Sequence, residues 1–164
     1  MGTDNPPPQD MPVRDRMALV WHVGRADLPG LPYTPAEAVS AMMLYASRLV
    51  TQPGGPRVGD LAGIADMVRF LVPGRDILAL SLDEYERAVK KHPGMTLECD
   101  GHTDASRLFA LVEEIGEVAA CLTYDNVAET GHGSDLESEA IQVSALALAW
   151  ATRYLGLGKP EGRA

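Results

Sequence analysis

The chain has 164 residues, enough for one globular domain, and 46% of them are hydrophobic, an ordinary share for a protein with a buried core. Its formal net charge of −9 argues against a nucleic-acid polymer as partner, because such proteins neutralise phosphates with an excess of lysine and arginine. Two cysteines are too few for a disulfide framework, and no apolar run reaches the roughly 18 residues that span a bilayer. We therefore expect a cytoplasmic protein that does not contact membranes.

The N-terminal half of the chain predicts a proline-rich lead-in followed by short helices. Residues 1–12 are rich in proline and polar residues, which is typical of a disordered segment. Residues 13–92 form a helical region to which the sequence assigns no role. Its predicted helices, separated by loops of glycine and proline, are Val13–Val23, 34–50, 58–72 and 81–91. Ser81 and Glu84 predict a capping box at the start of the last of these.

The C-terminal half predicts two longer helices. Thr103 or Asp104 begins the first, Ser134 or Asp135 begins the second, and the second ends near Leu155. Aromatic residues make up only 5% of the chain and no segment alternates convincingly between apolar and polar residues. The predicted class is therefore all-α, a helical bundle whose core of residues 95–156 carries the two long helices.

Acidic side chains recur at helical spacing on both long helices. The first helix carries Glu113, Glu114 and Glu117, and the second carries Glu139 and Gln142. Residues three apart lie on nearly the same face of a helix, and carboxylates held this close repel each other unless a cation or a proton separates them. Two such helices facing each other predict an oxygen-rich site for Mg²⁺. The alternative is a helical interaction module whose glutamates are simply solvated.

These residues resemble a known family. The run Glu113-Glu114-Ile115-Gly116-Glu117, followed by Glu139-Ala140-Ile141-Gln142, is similar to the signature of the MazG-type all-α nucleoside triphosphate pyrophosphohydrolases. Their superfamily includes the dimeric dUTPases and dCTP pyrophosphatases, and its signature is Glu-Glu-x-x-Glu, a spacer, then Glu-x-x-Asp. The resemblance covers residues 97–155, about a third of the chain. It implies a MazG-like bundle completed by pairing of chains, as a homodimer or a higher homo-oligomer.

The resemblance also implies a chemistry and a set of roles. Members of the family cleave a nucleoside triphosphate between its α and β phosphates with Mg²⁺, and Mn²⁺ is a second candidate cofactor. Glu114, Glu117 and Glu139 would be metal ligands, and Glu113 would either be a ligand or position the attacking water. Gln142 occupies the place of the family's final aspartate, and its neutral amide binds Mg²⁺ less strongly than a carboxylate does.

The predicted substrate-binding residues come partly from helix phase. Arg107 lies two turns before Glu114 and is the expected phosphate contact, whereas Trp150, eleven residues after Glu139, falls on the acidic strip or in the core. Tyr124 matches a position where relatives often hold an aromatic residue against the base, although it could equally pack on the bundle. Asp125, also placed in the substrate site, could replace the missing ligand.

Two further features leave alternatives open. Asp135, one turn before Glu139, is a second source of the missing carboxylate. The basic run Lys90-Lys91-His92 complements the negative end of its own helix, or else contacts phosphate.

The resemblance thus implies a Mg²⁺-dependent enzyme that converts a (d)NTP to a (d)NMP and pyrophosphate. The alternative hypothesis is a catalytically weak or inactive nucleotide- or metal-binding protein that acts as a sensor or interaction module, and Gln142 is the residue that motivates it.

Overall fold

The computed structural model describes residues 8–24, 32–123 and 135–155. Within these ranges the chain forms six α-helices and no strand, which confirms the all-α class. The helices are α1 (Val13–Gly24), α2 (Pro35–Thr51), α3 (Val58–Leu71), α4 (Ile77–Lys91), α5 (Asp104–Cys121) and α6 (Leu136–Ala151). A 3₁₀ turn, Thr152–Tyr154, continues α6, so the regular helix ends four residues before the predicted Leu155.

Side-chain caps set the beginning of most helices. Thr34 and Glu37 form a capping box at the start of α2, with each side chain bonded to the other residue's backbone N–H. Thr103 caps α5 by accepting from the backbone N–H of Ser106, and Asp135 caps α6 by accepting from that of Glu137. The sequence had left two choices at each of the last two helix starts, and these bonds select one of them.

Helix α4 begins earlier than predicted. Asp76 is its N-cap and accepts from the backbone N–H of Ala79, so the predicted capping box of Ser81 and Glu84 is wrong. Ser81 lies within the helix and is fully buried. Its hydroxyl donates to the carbonyl of Ile77 and lies 2.7 Å from the hydroxyl of Ser144 on α6. Serine is common both at helix N-caps and inside helices, where it bonds to the backbone one turn earlier. The sequence does not distinguish the two positions, because it does not report burial.

Helix α6 is the centre of the bundle. It packs against α1, α3, α4 and α5, and most of its residues are buried around its whole circumference. Its alanines, among them Ala140, Ala147 and Ala151, are small enough to let neighbouring helices approach closely. A helix that is apolar on all sides is stable only when it is covered on all sides. The position of α6 therefore follows from its composition.

The N-terminal helices share one core with the acidic helices. Buried side chains of α1, α2 and α3 belong to the same hydrophobic cluster as those of α5 and α6. The proposed boundary near residues 92–95 falls in the loop between α4 and α5. Helices α4, α5 and α6 then meet along one side of the bundle, where the acidic residues lie.

None of the helices in the described ranges has the length and apolar character needed to cross a membrane.

Candidate metal centre

Three glutamates converge where α5 lies against α6. Glu114 and Glu117 are one turn apart on α5, and Glu139 lies in the first turns of α6. Each contributes one carboxylate oxygen to a group in which all three atoms lie within 4.8 Å of one another. Spacing predicted that Glu114 and Glu117 share a face, and the family resemblance implied that Glu139 joins them; the packing of α5 on α6 brings the three together.

The three carboxylates differ in their exposure to water. Glu139 is buried, with 4% of its surface exposed, whereas Glu117 is exposed and Glu114 is half-buried. Burial raises the pKa of Glu114 to about 7, and the neighbouring charges of Glu117 and Glu139 add to the effect. Near neutral pH the site therefore releases a proton from Glu114 readily when a positive charge arrives.

The donor set fits a hard divalent cation. Carboxylate oxygens are the ligands that Mg²⁺ prefers, and three of them within 4.8 Å of one another are close enough for side-chain movement to bring them to one ion. One carboxylate oxygen of Glu114, Oε2, is buried and has no hydrogen-bond partner. A buried, unpaired anionic oxygen is costly, and a bound cation would offset that cost.

Gln142 lies beside this cluster, one turn after Glu139. Its amide nitrogen donates to Oε2 of Glu139 over 3.1 Å. The carboxylate that would occupy this position in the family signature could not make this bond, because a carboxylate has no proton to donate. In this conformation, Gln142 therefore orients Glu139.

Glu113 lies on the solvent side of α5 and is exposed. It is not one of the three converging carboxylates, but its charge contributes to the raised pKa of Glu114. This placement is compatible with contact to water at the mouth of the site.

A cavity of about 300 Å³ opens directly beside the cluster. Its lining includes Glu114 and Gln142, together with Arg87 and Lys91 of α4 and His92, the residue that follows α4. Part of the remaining surface is apolar, including Leu146. A cleft of this size, lined by acidic, basic and apolar side chains, matches the chemistry of a small anionic ligand that binds together with a cation.

Glu84 is the member of this region that the sequence analysis missed. It lies on α4, lines the same cavity as Glu114, and its side chain is 18% exposed. Arg87 binds it through two hydrogen bonds, of 2.8 and 2.6 Å. Its spacing from Arg87 and Lys91 places the three on one face of α4, but this pattern is common on solvated helices and does not distinguish a site.

Arg107 has a different environment from the predicted one. It is buried, with 3% of its surface exposed, and does not line the cavity. Its guanidinium donates to the carbonyls of Leu97 and Cys99 and to the carboxylate of Asp104. Arg107 thus ties the loop between α4 and α5 to the bundle, and this replaces the expected phosphate contact.

Trp150 also lies away from the cavity. It is fully buried in the core, and its indole N–H donates to the hydroxyl of Tyr154. Its phase matches that of Glu139, but α6 is covered on all sides, so sharing a strip with an acidic residue does not bring a side chain to the surface. The core alternative is the one the structure selects.

The remaining predicted residues are less informative. Tyr124 and Asp125 lie outside the described residues. Asp135 uses its side chain to cap α6 and lines a second cavity, which Glu84 also lines, rather than the one beside Glu114.

Comparisons of the chain with protein-family models, with curated proteins and with solved structures find no match.

Proposed function

We propose that this protein is a Mg²⁺-dependent nucleotide pyrophosphohydrolase, which cleaves a (d)NTP to a (d)NMP and pyrophosphate. The observation that supports the proposal best is the convergence of Glu114, Glu117 and Glu139, since Glu114 also lines a cavity shared with basic side chains. The resemblance of the two acidic segments to the MazG-type signature supports the same reaction class.

In this proposal the three glutamates hold Mg²⁺, or Mn²⁺ in its place. A bound cation neutralises charge on the phosphates and makes an attacking water more acidic. A triphosphate is itself strongly negative and can approach carboxylates only in the company of cations. Glu113, at the exposed rim, would help to hold the cation or would orient the attacking water.

The walls of the cavity would bind the rest of the nucleotide. Lys91 and His92 are placed to attract the phosphates, and Arg87 would join them after leaving Glu84. The apolar surface beside Leu146 would cover part of the base or sugar. The basic residues that line the cavity thus belong to the proposed site, although the sequence alone favoured a role in complementing the helix dipole.

A panel of (d)NTPs incubated with the pure protein and Mg²⁺ tests the proposal. We expect release of pyrophosphate from at least one substrate. Glu114→Gln and Glu117→Gln should each reduce kcat/KM by about 100-fold or more, since even residues that only support a metal ligand cost about 10–100-fold when removed.

Glu86→Gln is the matched control for this assay. Glu86 lies on α4, pairs with Arg14 of α1 and faces a different cavity, so its loss should leave the rate within about 2-fold. No pyrophosphate from any substrate, or equal rates in all variants, would refute the proposed reaction.

A second candidate function is nucleotide or metal binding without turnover. Gln142 favours it, because an uncharged amide stands where the signature has a carboxylate and is engaged with Glu139. Calorimetry that finds nucleotide and Mg²⁺ bound without hydrolysis would select this function. Restored hydrolysis in Gln142→Asp would then identify the amide as the cause.

A further inference from the structure

We propose that two copies of this chain associate through the exposed face of α2, with the two α2 helices antiparallel about a two-fold axis. The family resemblance implies paired chains but indicates no surface. The surface and the register proposed here come from the exposure, spacing and charge of residues on α2. They depend neither on the metal site nor on the proposed reaction.

The first argument is the apolar surface that α2 leaves exposed. Its side chains Met43, Leu44 and Val50 are 46, 54 and 59% exposed. Helix α5, which packs on α2, carries a further apolar side chain, Phe109, that is 71% exposed. Burying a methionine or valine side chain of this kind against a partner is favourable, because apolar area leaves water.

The second argument is the spacing of the exposed residues of α2. Five of them recur at alternating intervals of four and three: Ala36, Ser40, Met43, Ser47 and Val50. We call this line the α2 seam. A mean interval of about 3.5 residues is that of the line along which two α-helices pack side by side. The small side chains of the α2 seam leave room for the larger ones of a facing helix.

The third argument is charge, and it favours an identical partner. Glu37 and Arg48 are the only charged residues of α2, and eleven residues, almost a whole number of turns, separate them. They therefore lie on the same flank of the α2 seam. In an antiparallel pair with two-fold symmetry the same flanks meet, so Glu37 of each copy lies near Arg48 of the other. The facing surfaces thus carry no net charge, although each chain carries −9.

The charges and the α2 seam require the same register. The midpoint between Glu37 and Arg48 falls between residues 42 and 43, and the central residue of the α2 seam is Met43. A single two-fold axis at this point places Met43 beside its own counterpart and Ala36 of one copy opposite Val50 of the other. A partner of different sequence would not require the two midpoints to coincide.

Analytical ultracentrifugation of the full-length protein tests the proposal. We expect the wild type to form a dimer of twice the chain mass of 17.6 kDa. Met43→Glu should weaken dimerisation at least about 10-fold, because two apolar side chains are lost and two carboxylates face each other at the axis.

Met95→Glu is the matched control. Met95 is also an exposed methionine, but it lies in the loop between α4 and α5 rather than on α2, so its replacement should leave the dimerisation constant within about 2-fold. A wild type that stays monomeric would leave the α2 face to a different partner and would overturn the proposal. Dimerisation of Met43→Glu equal to that of the wild type would overturn it as well.

An exchange of charges tests the register. Arg48→Glu should weaken dimerisation about 5-fold, because each of two attractive contacts becomes repulsive. Adding Glu37→Arg should restore dimerisation to within about 2-fold of the wild type, since the pair is then reversed. Circular dichroism and thermal unfolding confirm that each variant is folded. A double variant that remains as weak as Arg48→Glu would overturn the antiparallel arrangement.

Discussion

At the scale of single residues, Glu114 is the most unusual group in the structure. It is half-buried among other acids, and one of its oxygens is buried without a hydrogen-bond partner. Its pKa of about 7 lies above the ordinary value of 4.5, so the folded protein holds a proton on Glu114 over a range where the unfolded chain has lost it. Without a divalent cation, the contribution of Glu114 to stability therefore falls as the pH rises from about 4.5 through 7.

This pH dependence of stability leads to a prediction for Glu114→Gln. In EDTA at pH 8 the variant should melt above the wild type, because an amide occupies the site without charge repulsion, whereas at pH 4 the two should melt alike. We expect a gain on the order of 2–4 °C, since water screens part of the repulsion at a half-exposed group. Differential scanning calorimetry across pH measures it. A wild-type protein that gains stability relative to Glu114→Gln as the pH rises in EDTA would contradict the assigned burial.

Burial also changes the roles predicted for two residues, Arg107 and Trp150. Arg107 and Trp150 have side chains typical of nucleotide sites, and helix phase placed both near the acidic strip. Both are buried, one bonded to loop carbonyls and the other in the core. Spacing along the sequence predicts which face of its helix a side chain occupies. Whether that face is exposed to solvent depends on which other helices pack against it.

At the scale of elements, the contact between α2 and α3 depends on a glycine. A Cβ atom on Gly63 would lie 2.8 Å from the ring of Tyr45, closer than van der Waals contact allows. On α5 a Cβ atom on Gly116 would meet no atom within 4 Å. The two glycines look alike in the sequence, since both lie inside helices, yet only Gly63 is required by packing.

These glycines provide a matched pair of variants. Gly116→Ala should stabilise the protein by about 0.5–1 kcal/mol, because alanine loses less backbone freedom in a helix. Gly63→Ala should instead destabilise it by about 1–3 kcal/mol, since the ring of Tyr45 must shift. Urea unfolding gives both values. Equal stabilisation in the two variants would show that α2 and α3 do not approach this closely.

The loop between α4 and α5 is a second element whose position depends on its neighbours. Three side chains from three parts of the bundle hold it: Tyr85 bonds to Glu98, Arg107 to the carbonyls of Leu97 and Cys99, and Arg153 to the carbonyl of Glu98. Thr96 and Leu97 of this loop line the cavity beside Glu114. These hydrogen bonds therefore fix the position of a loop that lines the proposed substrate site.

At the scale of the whole molecule, the acidic helices depend on the N-terminal half. Helix α6 carries Glu139, and its other sides are covered by α1, α3 and α4. Residues 13–92 are thus part of the scaffold that holds the two acidic segments in register.

A fragment of residues 95–164 tests this dependence. It retains α5 and α6 but exposes the apolar surfaces that α1, α3 and α4 cover in the full chain. We expect it to lack a cooperative thermal transition and to bind a hydrophobic dye, because α5 alone cannot cover α6, which is apolar on most sides. The full-length chain is the control. A sharp, reversible transition in the monomeric fragment would show that the acidic core is an independent domain.

Much of the fold was accessible from sequence because it depends on local interactions. Thr34 and Thr103 mark helix starts through bonds to residues three positions away, and Pro35 suits the first helical position because it has no N–H to leave unpaired. Pro73-Gly74 and Pro93-Gly94 follow helix ends closely. Ser81 shows the limit of this reasoning. Its partner is Ser144, 63 positions along the chain, and no local rule identifies such a contact.

The spacing of the glutamates by itself determined that Glu114 and Glu117 share a face of α5, since one helical turn separates them. The all-α class followed from the helical patterning of the chain and the lack of alternating segments. Only the tertiary structure decided that Glu84 joins the cavity, that Arg107 is an anchor and that Trp150 belongs to the core. The physical reason is range. Helix formation and capping act over about four residues, whereas the environment of a side chain depends on which distant helices pack against it.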